Sequence, residues 1–141
     1  MKEKVFYSWE WLDKVIMELG ETILSSSTKI EYITGVPRGG LVPAVMLSHY
    51  MNKKFKPYNE ALEMTNNARQ KVLVVDDISD SGETLLKAET FGFQTATLTV
   101  RHSTIFYPDF YCDKIEDDRW LVFPWEREDS KTLQDYLVEQ K

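Results

Sequence analysis

The densest chemical signal in the sequence is VLVVDDISDSGET, residues 72–84, in which an apolar run ends in Asp76 and Asp77 and passes at once into Asp80, Ser81, Gly82 and Thr84. Adjacent carboxylates accept hydrogen bonds from sugar hydroxyls or hold a hard cation such as magnesium. Small residues at a helix start leave backbone N–H groups free to cradle a phosphate, and the hydroxyls of Ser81 and Thr84 add donors. A sugar phosphate fits both requirements. An ordinary βα turn also takes Asp and Ser as caps, which accounts for one or two of these residues. It does not account for three carboxylates within five positions, whose mutual repulsion needs a cation or a donor-rich ligand to offset it. The acidic strand of a nucleoside triphosphatase would need GxxxxGK[ST], and the sequence has none.

A second segment, Pro37-Arg38-Gly39-Gly40, combines a charged fork with two glycines that let backbone N–H groups approach an anion closely. Read alone it is a glycine turn with a solvated arginine; beside the aspartate loop it reads as an anion site. Trp120 and Trp125 fit a core, but a short strand near the chain end also suits an aromatic face that stacks on a flat base. His49, next to Met46 and Leu47, reads as structural, His102 falls at a strand end near the candidate site, and Cys112 reads as inert core. A single cysteine makes no internal disulfide, and two histidines so far apart make no zinc site.

These groups need a scaffold. After Ser8, suited to an N-cap, apolar residues at Trp9, Leu12, Val15, Ile16, Leu19 and Ile23 recur with helical spacing and predict a first helix, weakened near Gly20. Residues 30–36, IEYITGV, predict a strand that stops at the 37–40 turn, and 41–51 a helix. The polar stretch 53–70 carries an expected short strand at 61–65 and a mobile-looking Asn66-Asn67. Residues 71–77, KVLVVDD, read as a strand buried on both faces of a parallel sheet. A helix opens at Ser81-Gly82, runs through Phe91 and closes at Gly92, and 94–101 forms the next strand. The alternation gives an α/β class with a mainly parallel sheet flanked by helices, and it puts the acidic loop at a carboxyl strand end, where such sheets bind ligands. Beyond His102, short strands at 106–115 and 120–123 and an amphipathic helix at 130–138 are expected to cap the sheet rather than extend it.

The length of 141 residues suits one domain, 1–141. Hydrophobic residues at 43% and charged residues at 28% place the chain among folded proteins. Seventeen basic against 23 acidic residues give a net charge of −6, which opposes binding to nucleic acid or to anionic lipid. No stretch reaches the ~18 apolar residues of a membrane span, and the first residues lack an apolar core behind a basic start, so no signal peptide is expected and the location is expected to be cytoplasmic.

Segment 72–84 resembles the phosphoribosyl pyrophosphate (PRPP) signature of the type I phosphoribosyltransferases. Residues 35–43, GVPRGGLVP, are similar to that family's pyrophosphate loop, and 120–126, WLVFPWE, to the C-terminal purine-binding segment of its small xanthine-guanine members. The three stand in the family's order and span most of the chain. The resemblance implies the type I fold with a small hood from the two chain ends. It implies transfer of the 5-phosphoribosyl group from PRPP to a 6-oxopurine (guanine, hypoxanthine or xanthine) in purine salvage, Mg2+ as cofactor, and a homo-oligomer, dimer or tetramer. It assigns PRPP binding to Arg38, Gly39, Gly40, Asp76, Asp77, Asp80, Ser81, Gly82, Glu83 and Thr84, with Asp76 and Asp77 also in the metal environment. Arg38 would neutralise the leaving pyrophosphate, and Asp80 would act as general base or acceptor at purine N7. Trp120 would stack on the base, the Leu121 backbone would face its edge, and a peptide of the 35–43 loop can be cis. One departure stands out: where the small xanthine-guanine enzymes carry a lysine that reaches the purine 6-oxygen, this sequence reads Val100-Arg101-His102. Arg101 is the nearest match, with a longer and planar head. The competing reading is a non-catalytic PRPP-binding regulator on the same fold; the short chain, the negative charge and the Trp120 segment count against it.

Overall fold

In the computed structural model, which describes residues 3–127, the chain is organised around β4 (Val72–Ser79). Its side chains alternate between two apolar layers: Leu73 and Val75 join one core cluster, Val72 and Val74 the other, and all four are fully buried. Each such side chain stabilises the fold by about 1.5–3 kcal/mol relative to exposure. On either side of β4 run β2 (Tyr32–Gly35) and β5 (Gln94–Arg101), and the edges are β3 (Lys54–Phe55) and β6 (Asp113–Ile115). The order is β3-β2-β4-β5-β6, parallel throughout. Helices cover both faces, so every strand starts at one end of the sheet and delivers its last residues to the other.

One layer holds α1 (Trp9–Ser25) and α2 (Leu41–Met51). The Ser8 hydroxyl caps α1 by accepting from Trp11 N at 3.0 Å, and Leu12, Val15, Ile16, Leu19 and Ile23 form the buried stripe. Trp9 departs from the expected stripe and is 55% exposed. Gly20 has a packing reason: a Cβ there would stand 2.5 Å from the Tyr50 ring, so its absence lets α2 lie against α1. The other layer holds α5 (Glu83–Thr90), whose Leu85 and Ala88 pack with Phe93 and Ala61.

Four expectations are corrected. The strand expected at 61–65 is replaced by α3 (Tyr58–Leu62) followed by a turn, because Ala61 is drawn into the second core and the carbonyl of Pro57, at the N-cap, accepts from Ala61 N at 3.0 Å. Asn66 and Asn67, expected to be mobile, open α4 (Asn66–Arg69), capped by Thr65 through Ala68 N. Of the strand expected at 106–115 only β6 forms; the Asp109 carboxylate instead accepts from the N–H and hydroxyl of Thr95 and pins this segment as a loop. Finally, β6 does extend the sheet, while β7 (Trp120–Val122) leaves it and pairs in parallel with the unexpected β1 (Lys4–Phe6). This two-stranded sheet from the two chain ends is the expected hood. The helix expected at 130–138 lies outside the described residues.

Candidate active site at the carboxyl ends of the strands

The turn after β2 closes directly onto the end of β4. Val36 N donates to Val75 O at 2.9 Å and Gly40 N to Val36 O at 2.8 Å. A Cβ on Gly40 would fall 2.3 Å from Val75 O, and one on Gly39 would fall 2.2 Å from Asp77 Oδ2. Both glycines are therefore required by close approach. The Pro37–Arg38 peptide is cis, and the Arg38 side chain is exposed at the rim.

The strand expected to stop at Asp77 runs on to Ser79. Asp76 Oδ1 accepts from Asp77 N at 2.9 Å and Asp77 Oδ1 from Ile78 N at 2.8 Å, so each carboxylate is steadied by the next backbone amide. The phosphate-type loop follows. Gly82 sits at φ +94°, the left-handed region that favours glycine, and opens α5; Ser81 Oγ accepts from Glu83 N at 3.3 Å, and Glu83 and Thr84 are exposed on the first turn. A segment that sequence reasoning missed props this loop: Ile105 N donates to Ser81 O at 3.0 Å, Ser79 Oγ donates to Phe106 O at 2.8 Å, and a Cβ on Gly82 would meet Thr104 Oγ1 at 2.5 Å.

Arg101, last residue of β5, is only 7% exposed. Its Nε donates to Asp80 Oδ1 at 3.2 Å, and its Nη1 donates to the carbonyls of Asp117 and Arg119, both at 2.9 Å. The hood stands next to this contact. Trp120 N donates to Glu3 O and Tyr7 N to Val122 O, so alternate residues of β7 face β1 and the N–H and C=O of Leu121 project from the open edge. Trp120 is half-buried, whereas Trp125 stacks on Phe123 at 5.0 Å, continuing a column through Tyr7 to Trp11. Cys112 behaves as expected of an inert thiol: half-buried, it donates to Val15 O at 3.6 Å, and burial pushes its pKa up to about 11. A cavity of about 540 Å³ between Ile23, Lys29, Glu31 and Lys53 opens at the opposite end of the sheet and takes no part in this arrangement.

No family model matches the chain. It is 29% identical over 114 residues to a xanthine-guanine phosphoribosyltransferase of Cereibacter sphaeroides, covering 67% of this chain and 68% of that protein. The crystal structure of a purine phosphoribosyltransferase from Pyrococcus horikoshii superposes with a TM-score of 0.75 at 30% identity, over 94% of this chain and 99% of that one. The chain belongs to the purine phosphoribosyltransferases. A xanthine-guanine-hypoxanthine phosphoribosyltransferase from Helicobacter pylori shares the fold, with a TM-score of 0.74 at 21% identity.

Beside this strand-end cluster of the phosphoribosyltransferase, Glu126 is a further residue that sequence reasoning passed over. Its Oε1 accepts from Phe123 N at 2.9 Å, and its charge acts on Asp77. It stands in the WLVFPWE segment, but nothing in its type or spacing marks it as facing a strand end from the hood. Burial, helped by Glu126, raises the Asp77 pKa from 3.8 to about 6. The unfolded chain then ionises this group at lower pH than the folded one does, so the protein is expected to lose stability as pH rises from about 4 through 6 and to regain none of it above. Asp77→Asn keeps the acceptor for Ile78 N without the charge and should flatten that part of the curve. Denaturant midpoints across this pH range check it; parallel curves for the two proteins would remove Asp77 as the cause.

Proposed function

We propose that this chain transfers the 5-phosphoribosyl group from PRPP to a 6-oxopurine, giving a nucleoside monophosphate and pyrophosphate in purine salvage. The observation that carries the reading is the meeting of the glycine loop with Asp77, where a single methyl group would not fit. Anion-binding amides and sugar-binding carboxylates thereby converge on one point.

Bond breaking at C1′ leaves the ribose cation-like and the pyrophosphate with the electron pair, so positioning and charge stabilisation supply most of the catalysis. Asp76 and Asp77 accept from the ribose hydroxyls and place negative charge beside the developing cation. Arg38 and the amides of Gly39 and Gly40 hold the leaving pyrophosphate. Ser81, Gly82, Glu83 and Thr84 bind the 5′-phosphate at the start of α5, where backbone N–H groups have no helical partner. As the purine N9 forms its bond to C1′, the proton on N7 passes to, or is held by, the Asp80 carboxylate. Trp120 stacks on the ring, and the open-edge Leu121 backbone meets its rim.

The residues also fit a magnesium ion. This ion commonly takes one or two carboxylates together with substrate phosphates, and the Asp77 carboxylate, desolvated and under the charge of Glu126, is suited to a cation. Asp76 and Asp77 would hold it, and when bound it supplies charge neutralisation at the pyrophosphate.

Arg101 carries only donors, so the Nη2 arm left over from Asp80 and the hood carbonyls suits a 6-oxygen and not the amino group of adenine. A mismatched polar contact costs about 1–3 kcal/mol, which gives a preference of about 5- to 150-fold in kcat/KM for the best 6-oxopurine over adenine. Pyrophosphate release from PRPP and magnesium with guanine, hypoxanthine, xanthine, adenine and orotate tests the reading. Release with none of these overturns it, and a preference for adenine overturns the role of Arg101 in base choice.

A further inference from the structure

The guanidinium of Arg101 joins three segments that are far apart in sequence: the end of β5, the Asp80 loop, and the turn 117–119 that leads into β7. At 7% exposure it is a charge withdrawn from water, and such a charge is tolerated only where its donors are matched. Asp80 supplies the countercharge at Nε and the two carbonyls accept from Nη1. The turn has its own brace, in which Asp117 accepts from Arg119 at both N and Nε, at 3.1 and 2.8 Å. The turn is thus a preformed unit that presents two carbonyls to one donor group. A planar fork can hold a carboxylate on one arm and carbonyls on another; a lysine ammonium, a point charge with one nitrogen, cannot span these positions.

We infer that Arg101 is a positioning residue that fixes the acid–base carboxylate and the base-facing hood in a single register. The inference rests on the functional reading above and deepens it. With Oδ1 of Asp80 engaged by Nε, the second carboxylate oxygen is the one presented to the purine, and the turn that leads into Trp120 and Leu121 is set by the same guanidinium. Arg101 therefore acts on the reaction through Asp80 and the hood, separately from any contact of its Nη2 arm with the base.

The decisive variant is Arg101→Lys, which puts a cation that can reach the purine 6-oxygen in place of the arginine fork. If base reading were the whole role, this exchange would leave kcat and base preference close to wild type. As a positioning residue, Arg101 replaced by Lys loses about tenfold or more in kcat, alike for guanine and hypoxanthine, with the KM for PRPP little changed. Amide hydrogen exchange of residues 117–122 should accelerate in the same variant. Exogenous guanidinium should restore part of the turnover of Arg101→Ala, and ethylammonium should not. Circular dichroism establishes that each variant is folded. Should Arg101→Ala not fold, the Lys variant and its exchange pattern decide alone. Wild-type kcat in Arg101→Lys, or hood exchange unchanged in it, overturns the inference. A wild-type chain inactive with every nucleobase overturns the functional reading instead, and the exchange measurement still decides this one.

Discussion

Asp80→Asn should lower turnover by roughly 10²–10⁴-fold, the range expected when an acid–base group is lost. The two side chains have nearly the same shape, so the effect isolates charge and basicity. The Asp80 side chain is 58% exposed, while its partner Arg101 is nearly buried, and the two meet at 3.2 Å. An amide oxygen can still accept from Arg101 Nε, but it cannot take the purine proton or balance the guanidinium. Two consequences separate. The chemical step slows, seen in single-turnover rates with PRPP and guanine prebound, whereas PRPP affinity changes little because Asp76, Asp77 and the glycine loop are untouched. A kcat effect with a nearly constant KM for PRPP marks an interaction made in the transition state. Unchanged single-turnover rates would remove Asp80 from the mechanism.

The parts of this site that were legible in the sequence are those fixed by local chemistry. The four apolar residues before Asp76 specify a strand buried on both faces, and the helix after Gly82 is bounded by Ser81-Gly82 at its start and Gly92 at its end. The hydroxyls and carboxylates between them can only sit at the carboxyl end of that strand, so the phosphate and sugar sites are read together. What the sequence hides is contact between distant segments. β1 is three residues long and has no pattern of its own; it forms because β7 needs a partner once it has left the main sheet. Glu126 reaches the field of Asp77 only through that hood. The segment 106–112 has the aromatic content of a strand, yet Asp109 and Thr95 exchange three hydrogen bonds at the start of β5 and hold it as a loop. Arg101 shows the same limit. Its type and place mark it as important, but the sequence does not show that its fork is divided between Asp80 and a turn sixteen residues further on.

Gly39→Ala should reduce kcat/KM for PRPP about a hundredfold, the effect of displacing binding groups by an ångström or so. The added Cβ would stand 2.2 Å from Asp77 Oδ2, 2.7 Å from its Cγ and 3.1 Å from Oδ1, and real side chains do not tolerate the first two distances. Asp77 has little room to yield, since its Oδ1 is held by Ile78 N at 2.8 Å and its side chain is short. Either the 36–40 turn lifts from β4, breaking the approach of Val36 N to Val75 O, or the carboxylate rotates out of its hydrogen bond. Both movements separate the amides proposed to hold pyrophosphate from the acceptors proposed to hold ribose. The apolar core beneath, at Leu73 and Val75, is not entered by the new methyl group, so the loss of stability should stay within about 1–3 kcal/mol. A double-mutant cycle identifies the cause. Asp77→Ala weakens PRPP binding itself but removes the atoms in conflict, so Gly39→Ala introduced into that background should add much less than its effect alone, because contacting residues couple. Steady-state kinetics at saturating purine, with PRPP titration calorimetry on all four proteins, measures the cycle. Wild-type PRPP affinity in Gly39→Ala, or the same further loss in both backgrounds, would mean that the closeness of Gly39 to Asp77 does not set the PRPP site.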